Sequence, residues 1–124
     1  MVGEMTHIFV FGSNLAGRHG RGSAKEAVEK HGAIYGIGIG LQGQSYAIPT
    51  KTADLQILSL ETIKWHVEYF EFFAMAHRQL IFNVVAIGCG LAGYSPKQIG
   101  PLFQYRPINV NLPPEFQWSA LHAL

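Results

Sequence analysis

The sequence predicts a single α/β domain: a mixed, mainly parallel sheet with helices on both faces. Three observations predict it. Strand-like apolar runs alternate with helix signals along the chain, two of these runs end in glycine-rich loops, and each loop leads to a capped helix start. With 124 residues the chain is near the commonest domain size, so one core over residues 1–124 is expected. Hydrophobic residues make up 48% and charged residues only 14%, which suits a buried core and excludes a solvated, disordered chain.

Residues 6–11 (THIFVF) are β-branched, aromatic and almost continuously apolar, the pattern of a strand buried on both faces, and Gly12 is expected to stop it. Residues 12–22 (GSNLAGRHGRG) carry four glycines without a regular period and read as a loop able to approach a ligand closely. Ser23 and Glu26 then match a capping box, and Gly32 supplies the helix stop. Residues 33–43 place Gly36, Gly38, Gly40 and Gly43 between apolar residues, which predicts an extended, bent segment approaching a neighbouring backbone. Its G-x-G-x-G run lacks the following helix that dinucleotide binding requires.

Residues 45–48 read as a short strand ended by Pro49-Thr50-Lys51. A second helix starts at Ser59 with Leu58 and Ile63 as a hydrophobic staple. Leu60, Ile63, Val67, Phe70 and Ala74 form its buried face, and Glu61, Lys64, Glu68 and Glu71 its solvated one. Residues 80–87 (LIFNVVAI) give the clearest strand, ended by Gly88. Ser95-Pro96-Lys97-Gln98 is another capped start, which Pro101 limits to a turn over 96–100 or breaks before Leu102 and Phe103. Residues 108–112 predict a last strand, followed by Pro113-Pro114 and an exit segment whose Phe116 and Trp118 cover the core edge.

Right-handed crossovers place the loops at 12–22 and 88–93 at the carboxyl edge of the sheet, where open α/β folds bind ligands. Each loop leads to a helix whose first amides lack partners and whose dipole favours negative charge, so the two together fit a diphosphate. Arg18 and Arg21 offer charge-assisted bonds to phosphate. Asn14 offers one donor and one acceptor to a ribose hydroxyl pair, in competition with a local turn bond. Tyr94 is placed to stack on a ring or to pack at the edge.

Other chemistry is constrained. The net charge of +1 without a Lys/Arg cluster gives no general nucleic-acid surface, so anion recognition must be local. A single cysteine, Cys89, allows no intramolecular disulfide. The start of the chain lacks a leader pattern, and the longest apolar stretch, 80–86, is interrupted by Asn83, so no membrane partner and a cytoplasmic location are expected. The six histidines lack metal-ligand spacing, and neither metal nor cofactor is expected. Cys89 with His19 as base would make a thiol hydrolase, an arrangement weighed against inert packing of the cysteine.

At IGCGLAGY (87–94), GRHGRGSA (17–24) and IPTK (48–51) the chain resembles a macro domain, more narrowly the phage-associated macro-like family. It is more distantly similar to the branch containing terminal ADP-ribose–protein glycohydrolases and DNA ADP-ribose glycohydrolases. The resemblance runs from about residue 6 to 112 and implies binding of ADP-ribose or a related nucleotide, in host-cell cytoplasm if the chain is phage-encoded. Asn14 would lie near the distal ribose, residues 20–22 against it, and residues 88–94 around the diphosphate. In the hydrolase branch it implies a nucleophilic lysine at Lys51 attacking the anomeric carbon, which requires a neutral amine. The partner-carboxylate position of that branch is Ala92 here, with Asp54 a nearby substitute.

The ligand-binding candidates are therefore Gly12, Ser13, Asn14, Gly20, Arg21, Gly22, Thr50, Lys51, Gly88, Cys89, Gly90, Leu91, Ala92, Gly93 and Tyr94, with Lys51 also the catalytic candidate. Three functions stand open. They are a binder of an ADP-ribose-like nucleotide or an ADP-ribosylated macromolecule, an ADP-ribosyl hydrolase acting on protein or DNA, and an interaction protein with a degenerate cleft.

Overall fold

The computed structural model describes residues 5–121, with side chains as far as Gln117. Its elements are β1 (Thr6–Asn14), α1 (Gly22–Lys30), β2 (Gly40–Gln42), β3 (Ser45–Lys51), α2 (Leu60–Ala76), β4 (Leu80–Val84), α3 (Pro96–Ile99), a 3-10 turn (Gly100–Leu102), β5 (Val110–Asn111) and α4 (Pro114–Leu121). They form one five-stranded sheet in the order β2-β3-β1-β4-β5. β1 is central and pairs in parallel with β3 and β4, β5 adds in parallel to β4, and only β2 is antiparallel.

The period-two alternation of β1 sorts the core into two layers. Ile8 and Val10 pack with Ile63, Val67, Phe70 and Ala74 of α2, Ile99 of α3 and Phe116 of α4. Phe11, with Phe9 against it, packs on Ala24 and Ala27 of α1. Helices therefore cover both faces, and the small alanines let α1 lie close to the sheet.

Several boundaries differ from the sequence reading. Gly12 does not stop β1, because pairing with β3 continues to Asn14 across a register shift between Ser13 and Asn14. β3 likewise runs through Pro49. The β2 ladder reaches only Ala47, so Pro49 sits where one side of β3 is free and its missing amide hydrogen costs no ladder bond. The Ser23–Glu26 capping box does not form. α1 starts at Gly22 with Arg21 as an extended N-cap that makes no side-chain cap bond, and Glu26 lies 3.6 Å from His31 instead. Gly32 does end the helix in the left-handed region, with the amides of His31 and Ala33 both reaching the Ala27 carbonyl.

β4 is shorter than expected. After Val84 the Val85 amide reaches Val10, but the Ile87 amide turns back onto the Val85 carbonyl, so 85–87 already belong to a turn. Ser95 starts α3, where the Gln98 side chain accepts from its amide at 2.9 Å, and Pro101 confines the next residues to a 3-10 turn. The last strand shrinks to two residues. It is held by Asn109, whose side-chain nitrogen donates to the carbonyls of Ala74, His77 and Leu80. The exit segment is the helix α4, with Pro114 at its first position. Phe116 is fully buried, and the side chain of Trp118 lies outside the described residues.

The polar side of α2 contains one clear exception. Ser59 caps the helix and Lys64 lies 3.9 Å from Glu68, as the spacing predicts. Glu71, however, is fully buried and accepts the amides of Tyr105 and Arg106, the latter at 2.7 Å, where Arg106 takes a positive φ. Burial pushes its carboxyl up to about 6 from 4.5, against the pull of the two amides. A raised acid pKa means that the folded chain binds the extra proton, so this residue's contribution is fully present below about pH 4.5 and is lost as pH rises through about 6. Urea unfolding across that window should show a decline of up to about 2 kcal/mol that Glu71→Gln removes. Equal slopes for parent and variant would contradict this role.

Candidate ligand-binding cleft

The chain leaves β1 and β4 at the same sheet edge. There the loop after Asn14 and the turn beginning at Val85 face each other across a cleft of about 770 Å³, within the range of small-molecule sites. One wall is Gly12, Ser13, Asn14, Arg18, Gly20 and Arg21, running into Gly22, Ser23 and Ala24 of the first turn of α1. The other is Val85, Ala86, Ile87, Gly88, Gly90, Leu91 and Ala92, and the end of β3 closes the cleft with Thr50, Lys51 and, beyond it, Leu55. Most of the predicted ligand-binding residues thus share one cavity.

Three do not line it. Cys89 and Tyr94 pack against the α2-side core, and the Tyr94 hydroxyl donates to the Leu58 carbonyl at 2.7 Å, so the ring serves edge packing. Gly93 forms the turn between them, its amide donating to the Gly90 carbonyl. The second helix end is also absent from the cleft: no α3 residue lines it, and Gln98 already occupies the Ser95 amide. Only α1 points its N-terminus into the site, with no side-chain cap and no acidic residue in its first turn. That leaves its dipole and first amides to an anion.

The polar side chains at the end of β1 hold the wall. Asn14 donates to the Arg18 carbonyl at 3.0 Å and accepts from the Arg18 amide at 2.9 Å, the local bond that competed with ribose recognition. Ser13 donates to the Gly38 carbonyl, and Thr50 donates to the Ser13 carbonyl at 3.4 Å. The loop is thereby fixed before any ligand arrives, which lowers the ordering cost of binding.

Behind this wall lies a buttress, the segment 34–42, which the sequence signalled as a glycine-rich stretch approaching a neighbouring backbone. The Gly36 amide donates to the Gly17 carbonyl at 2.8 Å. His19 Nε2 reaches the Ile37 carbonyl at 2.9 Å, and the Gln42 side chain ties the segment to itself through Ile34 and Ile37. Gly17 and Gly38 sit where the two backbones touch, with no room for a Cβ. The expectation of a close backbone approach is met, and the partner is the cleft's own first loop.

The electrostatics are one-sided. Arg18, Arg21 and Lys51 line the cleft with no Asp, Glu or His, and among the described residues none of the three is in an ion pair with a carboxylate. Asp54 is exposed, bonded to the Thr52 hydroxyl, and outside the lining. The thiol–imidazole pair does not form. Cys89 packs on the α2 side, where burial pushes its thiol up, whereas His19 is buried edge-on to Phe11 on the α1 side, at 5.2 Å between rings.

Among the described residues no group of three His, Cys, Asp or Glu could hold a metal ion, and no helix is long and apolar enough to cross a membrane. No family model, curated protein or solved structure matches the chain.

Proposed function

We propose that the chain adopts a macro-like fold and binds ADP-ribose or a related nucleotide, free or attached to a macromolecule, in the cleft between its two glycine-rich loops. The observation that carries this reading is the convergence on one cavity of three cations that form no ion pair among the described residues, the uncapped start of α1 and bare glycine backbone. A diphosphate fits that set because it spreads two charges over oxygens that amides and guanidinium groups both reach. Val85, Ile87 and Leu91 add apolar lining against which a ring and a sugar can pack.

Binding is favoured over turnover. Lys51 lies in the cleft as the hydrolase reading requires, but Ala92 contributes only a methyl group, Asp54 stays outside, and no lining residue is a carboxylate or imidazole able to move a proton. Thermal denaturation with a ligand series tests the proposal. ADP-ribose and ADP should raise the melting temperature and ribose should not; equal, null responses from all three would reject it. Arg18→Ala and Arg21→Ala should each weaken ADP-ribose binding roughly ten- to a hundredfold, the worth of about one charge-assisted bond, as read by calorimetry. Incubation with ADP-ribosylated protein should return the modification intact. Release of ADP-ribose that Lys51→Ala abolishes would establish the hydrolase instead.

A further inference from the structure

We propose that Leu55 is a specificity-determining contact of the cleft that packs on an uncharged ring or sugar of the ligand, an inference that rests on the nucleotide reading above. After β3 the chain turns back on itself. Lys51 bridges antiparallel to Ile57, and the Thr52 amide donates to the Gln56 carbonyl at 2.8 Å. Within the turn the Thr52 hydroxyl donates to the Asp54 carboxylate and accepts the Gln56 amide at 3.0 Å, while the Leu55 amide donates to the Thr52 carbonyl at 3.0 Å. Leu55 is thereby fixed where it lines the cleft, as does Leu91 of the second wall.

The backbone of Leu55 has a φ of +67°, a conformation that favours glycine and strains a residue with a Cβ. Among the described residues glycine occupies eight of the ten positions with positive φ, and Leu55 and Arg106 are the exceptions. At Arg106 the conformation serves the fold, since its amide donates to the buried Glu71 carboxylate. Leu55 has no such role: its side chain is 46% exposed and belongs to neither core layer. Turn chemistry favours glycine or asparagine at this φ, so a branched apolar side chain adds nothing to the turn itself. What the leucine supplies is apolar surface in a cavity whose charged side chains, Arg18, Arg21 and Lys51, are all cationic. A nucleotide presents the counterpart of both, a diphosphate flanked by rings. A bare phosphate or pyrophosphate would have no use for the leucine.

Calorimetry with ADP-ribose, ADP and inorganic pyrophosphate tests this on the parent and on Leu55→Gly, Leu55→Asn and Leu55→Met. Glycine and asparagine adopt the turn conformation readily, so the first two variants should melt within about 2 °C of the parent. They should bind ADP-ribose about tenfold more weakly and pyrophosphate as well as the parent does, whereas Leu55→Met should keep most of the affinity. A loss shared by ADP places the contact on the nucleoside, and a loss confined to ADP-ribose places it on the terminal sugar. Equal ADP-ribose affinity in the parent and Leu55→Gly, or a loss shared by pyrophosphate, would overturn the inference and leave the nucleotide reading standing. No binding of ADP-ribose by the parent would overturn both.

Discussion

Gly90→Val is expected to weaken ADP-ribose binding by at least a hundredfold, about 3 kcal/mol, while leaving the melting temperature within about 2 °C of the parent's. A Cβ at Gly90 meets no atom within 4 Å, and the residue does not need the left-handed region, so the backbone accepts a side chain without strain. Gly90 lines the second wall of the cleft, so a branched side chain at this position narrows it. Gly88 and Gly93 would not make clean tests, because both have positive φ and a substitution there would strain the turn. Gly20 provides the matching test on the first wall, where the space around a Cβ is also open. Calorimetry on Gly90→Val decides where the ligand sits: retained affinity would place it outside this cleft.

Gly17→Ala is expected to have the largest effect on stability, well over 2 kcal/mol, with loss of ligand binding as a consequence. Its φ of +70° already costs an alanine about 1–2 kcal/mol, and the added methyl would collide with the backbone of Gly36 and Ile37 rather than with a movable side chain. The collision falls on the contact that holds the first loop against segment 34–42, so relief of the clash must move the wall carrying Arg18 and Arg21. Gly38→Ala should behave similarly, since its Cβ would meet the carbonyl of Asn14. Urea unfolding measures the loss. A variant as stable as the parent would mean that the loop is not buttressed in this way.

How much of the fold was legible depended on whether the signal was local. The strands at 6–11 and 80–84 carry their burial in their own composition, and the apolar spacing of α2 sets out its core face directly. The convergence of the two loops followed from topology alone, because parallel strands must place their carboxyl ends on one edge. Pairing partners were not legible. Gly12 and Pro49 look like strand stops in isolation, yet β1 and β3 pass through them because each supports the other. Glu71 reads as a surface charge by its place among Glu61, Lys64 and Glu68. Its burial is set by the turn at Tyr105 and Arg106, more than thirty residues away.

In the site, the same division holds. Arg21, Lys51, Gly88 and Gly90 could be placed from the motifs, but whether Asn14 faces a ligand or its own loop depends on the Arg18 backbone. Tyr94 was ambiguous for a similar reason, since its hydroxyl finds Leu58, a residue distant in sequence. The glycine run at 36–40 is the instructive case. Its spacing suggests a phosphate motif, and its position in space makes it the support on which the cleft's first loop rests.

The most direct test of the central claim is a calorimetric titration of ADP-ribose into the parent chain at low and at high salt. A cleft lined by three cations predicts saturable binding of one ligand per chain that weakens as salt rises, because the Arg18, Arg21 and Lys51 contacts are screened. No heat at either salt concentration, together with no thermal shift at millimolar ADP-ribose, would contradict it.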